Sequence, residues 1–179
     1  MSVTNSARAG VIALTLAACS GISTQSDYNP TYDFGTASTY NWMPGGSEGD
    51  LQFYESTLFD AVDAEMTAKG LRKAPAGEAD ILFAYHTGRQ TRQQYDTYGY
   101  GAGGWWGGYW GGGMTTTTTT VREYEEGTLI LDIIDREQKQ LVWRGSATKT
   151  LDASATPEER QQTLRQAVGK ILGDFPPGS

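Results

Sequence analysis

Few side chains in this sequence can do acid–base, thiol or metal chemistry. There is one His, His86, and one Cys, Cys19. A lone Cys cannot close an internal disulfide. One Cys and one His cannot supply the three or four nitrogen and sulfur ligands of a typical zinc site. A Cys–His catalytic pair would use both residues, and a Ser–His–Asp triad could only be built on His86. His86 follows Tyr85 at the end of a strand-like run. It could serve as a general base, but no nucleophile with a spaced partner stands beside it, and a surface position accounts for it. Asp132 and Asp135 are three residues apart in a strand-like run. In a regular strand they point to opposite faces, a poor geometry for a carboxylate pair serving one substrate. Packing at a strand end for one, and opening of the turn into Arg136 for the other, explains them. Gly99-Tyr100-Gly101-Ala102-Gly103-Gly104 fits the dinucleotide pattern G-x-G-x-x-G, but no helix follows to hold a pyrophosphate at its N-terminus. The expectation is no catalytic residue, no metal and no cofactor, hence no enzyme.

The unusual chemistry is aromatic. Residues Tyr98 to Gly113 comprise nine Gly, Ala102 and six aromatics: Tyr98, Tyr100, Trp105, Trp106, Tyr109 and Trp110. This stretch carries no charge. Glycine disfavours a stable helix or strand through backbone entropy, so a loop is expected over 98–113. Three uses suit it: stacking on cell-wall glycan, Tyr/Trp anchoring to an envelope protein, or resting at the lipid headgroup level. A loop that folds back over the sheet, or stays disordered with no ligand, is the alternative. The net charge of −7 argues against a nucleic-acid partner and against docking by charge onto anionic lipid.

The elements that must carry these residues follow from periodicity. Thr31 to Met43 alternates around Tyr40 and Trp42 as a strand. Leu51 to Lys69 places Leu51, Tyr54, Leu58, Ala61, Val62 and Met66 on one helical face, with Gly70 as the stop. Asp60 and Asp63 read as its solvated face, and Glu65 sits awkwardly near the apolar one. Ala79 to Tyr85 reads as a strand with a polar extension to about Tyr95. Thr115 to Tyr124, Thr128 to Asp135 and Leu141 to Leu151 read as three more strands. Glu125-Glu126-Gly127 is expected to turn between the first two of these. Thr115 to Thr120 reads as an edge strand or a continuation of the loop. Thr156-Pro157-Glu158-Glu159 is a capping box with Pro at N1, opening a helix with Leu164, Ala167, Val168, Ile171 and Leu172 on its apolar stripe. The fold class is α+β: an antiparallel-rich sheet of about five strands with two helices on one face, in the order β-α-β-β-β-β-α. The first helix must join strands that are parallel or distant in the sheet.

The N-terminus reads as an export signal. Arg8 precedes a ten-residue apolar run, Ala9 to Ala18, too short for the ~20 residues of a spanning helix and suited to a signal-peptide core. The run ends in Leu16-Ala17-Ala18-Cys19, which resembles the lipobox of bacterial lipoproteins. That resemblance implies recognition of Leu16, Ala17 and Ala18 by a signal peptidase, and acyl chains on Cys19 that hold the protein to a membrane. Ser20, rather than Asp, after the cysteine implies the outer membrane, facing the periplasm. The domain plan is then a signal peptide over 1–18, a lipidated N-terminus and flexible tether over 19–30, and one α+β domain over 31–175.

The whole resembles a family of bacterial lipoproteins, domain of unknown function 4136. The matching residues are Tyr32-Asp33-Phe34 with Thr39-Tyr40-Asn41-Trp42; Ala79-Asp80-Ile81-Leu82; Glu126-Gly127-Thr128-Leu129; Asp132 with Asp135; and Leu141-Val142-Trp143-Arg144-Gly145. The resemblance implies export and fold, and carries no catalytic residues. The expected function is a non-enzymatic, membrane-anchored binding or structural module of the bacterial cell envelope. An accessory subunit of an envelope assembly or transport machine, and an envelope hydrolase using His86 or the carboxylates, are the alternatives.

Overall fold

A computed structural model describes residues 21–45, 51, 53–100 and 116–178, with the backbone alone described over 94–100 and 116–122. Its elements are β1 (Ser23–Tyr28), a 3-10 turn (Phe34–Thr36), β2 (Thr39–Trp42), α1 (Glu55–Ala68), β3 (Arg72–Lys73), β4 (Ile81–Tyr100), β5 (Thr116–Asp135), β6 (Gln140–Thr150) and α2 (Pro157–Leu172). The six strands form one sheet in the order β1-β6-β5-β4-β2-β3. β2 runs parallel to both β3 and β4, while the other neighbours are antiparallel. The class is α+β, with a mixed sheet. As expected, α1 lies between two parallel strands, β2 and β4.

The helices share one face. Tyr85, Leu131 and Gly145 form a single cross-strand row. The Tyr85 hydroxyl donates to Glu55 of α1 at 2.9 Å, and a Cβ on Gly145 would stand 2.5 Å from Ile171 of α2. Side chains of α1 (Leu58, Val62, Met66) and α2 (Val168, Ile171, Leu172) bury against Phe83, Leu131, Ile133 and Trp143 in one core. Gly169 of α2 leaves room for Glu65, whose Oε1 would lie 3.2 Å from a Cβ there. That accommodates the carboxylate which disturbs the apolar face of α1. Gly70 takes a left-handed φ of +86° past the end of α1, as its stop signal requires. The capping box of α2 forms in full: the Glu159 N–H donates to Thr156 Oγ1, and the Thr156 N–H donates to Glu159 Oε2.

Three expectations need correction. The first is the tether. Residues 23–28 of the 19–30 segment are strand β1, paired antiparallel with β6 from Ser23↔Thr148 to Tyr28↔Trp143. Its side chains are almost all exposed, so no burial pattern marks it; backbone pairing holds it, joined by Ser26 donating to Asp174 and Tyr28 meeting Phe34 edge-on. The second is the turn at Glu125-Glu126-Gly127. β5 runs unbroken through these residues, paired to Gln90, Thr91 and Arg89 of β4. A polar, glycine-bearing tripeptide resembles a turn, but here the neighbouring strands satisfy its backbone. The third is the loop boundary: β4 continues to Tyr100, so residues 98–100 of the 98–113 stretch are strand.

Several polar groups are placed by the core rather than by solvent. Tyr40 is buried, and its hydroxyl donates to Asp63 at 3.1 Å, where Lys73 also pairs at 2.7 Å. Asp63 is therefore more than a solvated helix residue. Asp80 Oδ2 accepts from the backbone N–H and hydroxyl of both Ser38 and Thr39 at 2.8–3.1 Å. These hydrogen bonds hold the Asp80 carboxyl below the usual carboxylate range and lock the start of β2 onto the start of β4.

Burial pushes Tyr32, Tyr40 and Tyr85 up to about 12 from 10, reinforced by Asp135, Asp63 and Glu55 respectively. A raised phenol pKa favours the neutral form in the folded state. That contribution is full below pH 10 and is lost as pH rises through about 12. An absorbance titration should show phenols ionising near pH 12. A single wave near pH 10 with the fold intact would contradict this packing.

Candidate functional site

The sheet face opposite the helices carries the ionisable residues that sequence reasoning singled out. Asp132 lies inside β5, directly opposite Arg144 of β6. It does not sit at a strand end. Arg144 donates to it through Nε and a terminal nitrogen, both at 2.6 Å. This is the bidentate fork that suits guanidinium and carboxylate, and it raises the pKa of Arg144. Asp132 is buried, with 5 % of its surface exposed. His86 Nε2 stands 3.4 Å from Oδ2, the oxygen that also accepts from the terminal nitrogen of Arg144. Asp27 of β1 is paired with Arg144 on the far side, so one polar row crosses three strands. Asp135 belongs elsewhere: it accepts from the Gln138 N–H at 2.6 Å and opens the turn as expected.

Beside this row His86 and Asp132 form a His–Asp pair on the same face. Ser146 shares a cross-strand row with His86, yet Ile130 of β5 stands between them. Two strand spacings separate them, about 10 Å, against the ~3 Å that a general base needs. The arrangement orders the sheet face: a buried carboxylate satisfied by a cation at the surface.

The second feature is the long hairpin. β4 and β5 pair over their entire lengths, from Ile81↔Asp135 to Tyr100↔Thr116. β2 accompanies β4 only through Phe83, and β6 accompanies β5 only from Glu126. The ten pairs from Thr91↔Glu125 to Tyr100↔Thr116 therefore form a two-stranded ribbon about 30 Å long. Gln93–Glu123 at 2.6 Å and Arg92–Glu126 at 2.8 Å brace it laterally near its root. Residues 101–115 connect its two strands. Of the candidate contact surface, Tyr98 and Tyr100 lie on the ribbon backbone, while Trp105, Trp106, Tyr109 and Trp110 lie outside the described residues. So do Leu16, Ala17, Ala18 and Cys19. Thr116 to Thr120 is strand with β4 on one side, the edge-like position expected for it.

The third feature was missed by sequence reasoning. A cleft of about 450 Å³ opens at the root of the ribbon, where the helices stop covering the sheet. Leu129, Ala147, Leu164 and Ala167 give it apolar walls, with Thr87 and Gly127 on its floor and Ile22 at the chain entry. Arg89, Lys149 and Arg160 reach its rim. No periodicity advertises it, because its lining depends on the register of three strands and the tilt of α2. Among the described residues, no group of three metal-ligating side chains gathers, and no helix is long and apolar enough to cross a membrane.

The domain of unknown function DUF4136 matches residues 24–177. The chain belongs to this family. Its shared residues now have physical roles: in the segment Leu141 to Gly145, Trp143 fills the core against Phe175 (ring centroids 5.5 Å apart), and Arg144 crosses to Asp132. Gly145 admits the Trp143 ring edge, which would meet a Cβ there at 2.3 Å. Among curated proteins none matches the DUF4136 chain. Of solved structures, it is similar to a PDZ domain protein from Parabacteroides distasonis, with a TM-score of 0.54 and 13 % identity over 87 % of this chain and 36 % of that one. The chain thus spans about a third of that protein, and the likeness is one of fold. It is also similar to PelC from Paraburkholderia phytofirmans, described as a dodecamer, with TM-scores of 0.46 and 0.47, 12 % identity and coverage of 84 % and 94 %.

The polar row makes a stability prediction. Arg144→Ala leaves the buried Asp132 charge with His86 alone and should cost about 2 kcal/mol in urea unfolding. Adding Asp132→Asn removes that charge and should recover part of the loss. A double variant weaker than Arg144→Ala by the full extra cost of a second independent site would contradict the pairing.

Proposed function

We propose that this DUF4136 chain is a non-enzymatic, lipid-anchored binding or structural module of the bacterial cell envelope, held at the outer membrane through acyl chains on Cys19 and facing the periplasm. The observation that carries this reading is the β4–β5 ribbon. It extends about 30 Å beyond the helix-covered sheet, and its two strands flank the segment that contains Trp105, Trp106, Tyr109 and Trp110. Such an arm suits a module that must reach envelope protein or cell-wall glycan. The anchor reading draws on Leu16-Ala17-Ala18-Cys19 behind a ten-residue apolar run. Because β1 begins at Ser23, four residue steps, at most about 14 Å, separate the lipidated cysteine from the sheet. The body would then ride against the bilayer and the ribbon would provide the reach.

A role as accessory subunit of an envelope assembly is a second reading, favoured by the ribbon, which no third strand accompanies among the described residues. A two-stranded hairpin is marginal in water by itself, and its outer edges suit pairing with a partner strand.

Cys19→Ser should move the protein from the membrane fraction to the soluble fraction of the envelope; retention in the membrane would refute the lipid anchor. Deleting residues 98–113 should abolish crosslinking to envelope protein and co-sedimentation with peptidoglycan while leaving the membrane fraction unchanged. Undiminished binding by the deletion variant would remove the ribbon tip from the function.

A further inference from the structure

The chain enters the sheet at the root of the ribbon. β1 is antiparallel to β6, β6 to β5 and β5 to β4, so β1 runs opposite to β4. Since β4 runs toward the ribbon tip, the chain arrives at Ser23 from the tip side. Ser23, Thr148, Thr128 and Gly88 form one cross-strand row. Ile22, just before it, is buried at the ribbon root, and Lys170 of α2 donates to its carbonyl at 3.4 Å. The core thus fixes the entry point. Inward from this row, the strand from Gly88 back to Ile81 covers about 23 Å. The turn after Asp135 lies beyond, with Glu137, Gln138 and Lys139 exposed. Outward, the strand from Gly88 to Tyr100 covers about 40 Å. Cys19, four residue steps before Ser23, stays within about 14 Å of it.

These lengths exclude two orientations of a chain held by acyl groups on Cys19. With the ribbon pointing straight out from the bilayer, the far end of the sheet would sink about 9 Å below Cys19. Glu137 and Lys139 would enter lipid, where charge is costly. With the ribbon pointing straight in, its tip would pass Cys19 by about 26 Å, most of a hydrocarbon core of ~30 Å. Only helices and closed barrels satisfy their backbones there. The ribbon is two-stranded and carries Arg92, Asp96, Arg122 and Glu123.

We propose that the ribbon lies along the surface of the bilayer that holds Cys19, with its end at the lipid headgroups. Tyr98 and Tyr100 stand at that end, and tyrosine concentrates at headgroup depth. Residues 98–113 carry no charge, so contact is made by rings. That suits a chain of net charge −7 on zwitterionic lipid. This orientation rests on the lipid-anchor reading above and adds the direction of the arm, which reaches sideways over the membrane.

The test uses the full, acylated chain in phosphatidylcholine vesicles. Cys19 is the only cysteine, so once it is acylated a single introduced cysteine can take a fluorophore. Asp96→Cys and Thr97→Cys place the label on opposite faces of the ribbon. Arg72→Cys places it on β3, at the sheet edge opposite β1 and the end away from the ribbon. With lipid spin-labelled near the headgroup in the vesicles, at least one ribbon label should lose most of its emission while the label at Arg72 keeps its own. Circular dichroism checks each variant, and either ribbon label decides if the other disturbs folding. If the chain floats with the vesicles and both ribbon labels are quenched no more than the one at Arg72, the arm does not lie on the membrane and the proposal is overturned. If the chain does not float, the lipid anchor fails and the proposal falls with it.

Discussion

Twenty consecutive antiparallel pairs, Ile81↔Asp135 through Tyr100↔Thr116, form the ladder on which the rest of this molecule is assembled. The first seven pairs, to Thr87↔Leu129, lie in the helix-covered sheet. There Phe83, Tyr85, Leu131 and Ile133 bury under α1 and α2. Every further pair carries the same backbone pairing outward, beyond the buried core of the described residues. Burial drives the inner part, and register continuity transmits it to the outer part. Since an isolated two-stranded hairpin is marginal, the ribbon depends on its root for its direction and most of its order.

The two faces of the sheet divide the work. On the helix face, small residues decide what fits. Gly145 yields to the Trp143 ring, Gly169 to Glu65, and Gly127 to the Leu151 side chain. On the other face, the buried Asp132 is neutralised by Arg144 and neighboured by His86. Alternation along β6 supplies both: Trp143, Gly145 and Ala147 turn to the core, while Arg144 and Ser146 turn away. The Trp143-Arg144-Gly145 segment is thus accounted for by packing and pairing.

Much of this was legible from residue order. The capping box of α2, the left-handed stop at Gly70, the apolar stripes of both helices and the strands around Tyr40, Phe83, Ile133 and Trp143 follow from local signals that agree with the tertiary fold. What was illegible shares a physical cause. β1 has exposed side chains and is held by backbone pairing that leaves no period in the sequence. The Glu125-Glu126-Gly127 stretch has turn composition, but partner strands on each side outweigh that preference. Asp132 looked like a strand-end residue because Arg144, its counter-charge, is distant in sequence and adjacent only once the register is set. The cleft needs that register too, since its rim draws on β4, β5, β6 and α2.

The continuity of β5 through Glu125-Glu126-Gly127 is what converts a compact sheet into a body with a projecting arm. Hydrogen exchange read amide by amide across Arg89–Gln93 and Glu123–Gly127 tests it most directly. Protection should continue from Leu129 outward through Glu123 at the amides that point across to β4, declining gradually toward the tip as the ribbon frays. Fast exchange confined to Glu125–Gly127, with protection resuming on both sides, would restore a turn there and contradict the single ladder.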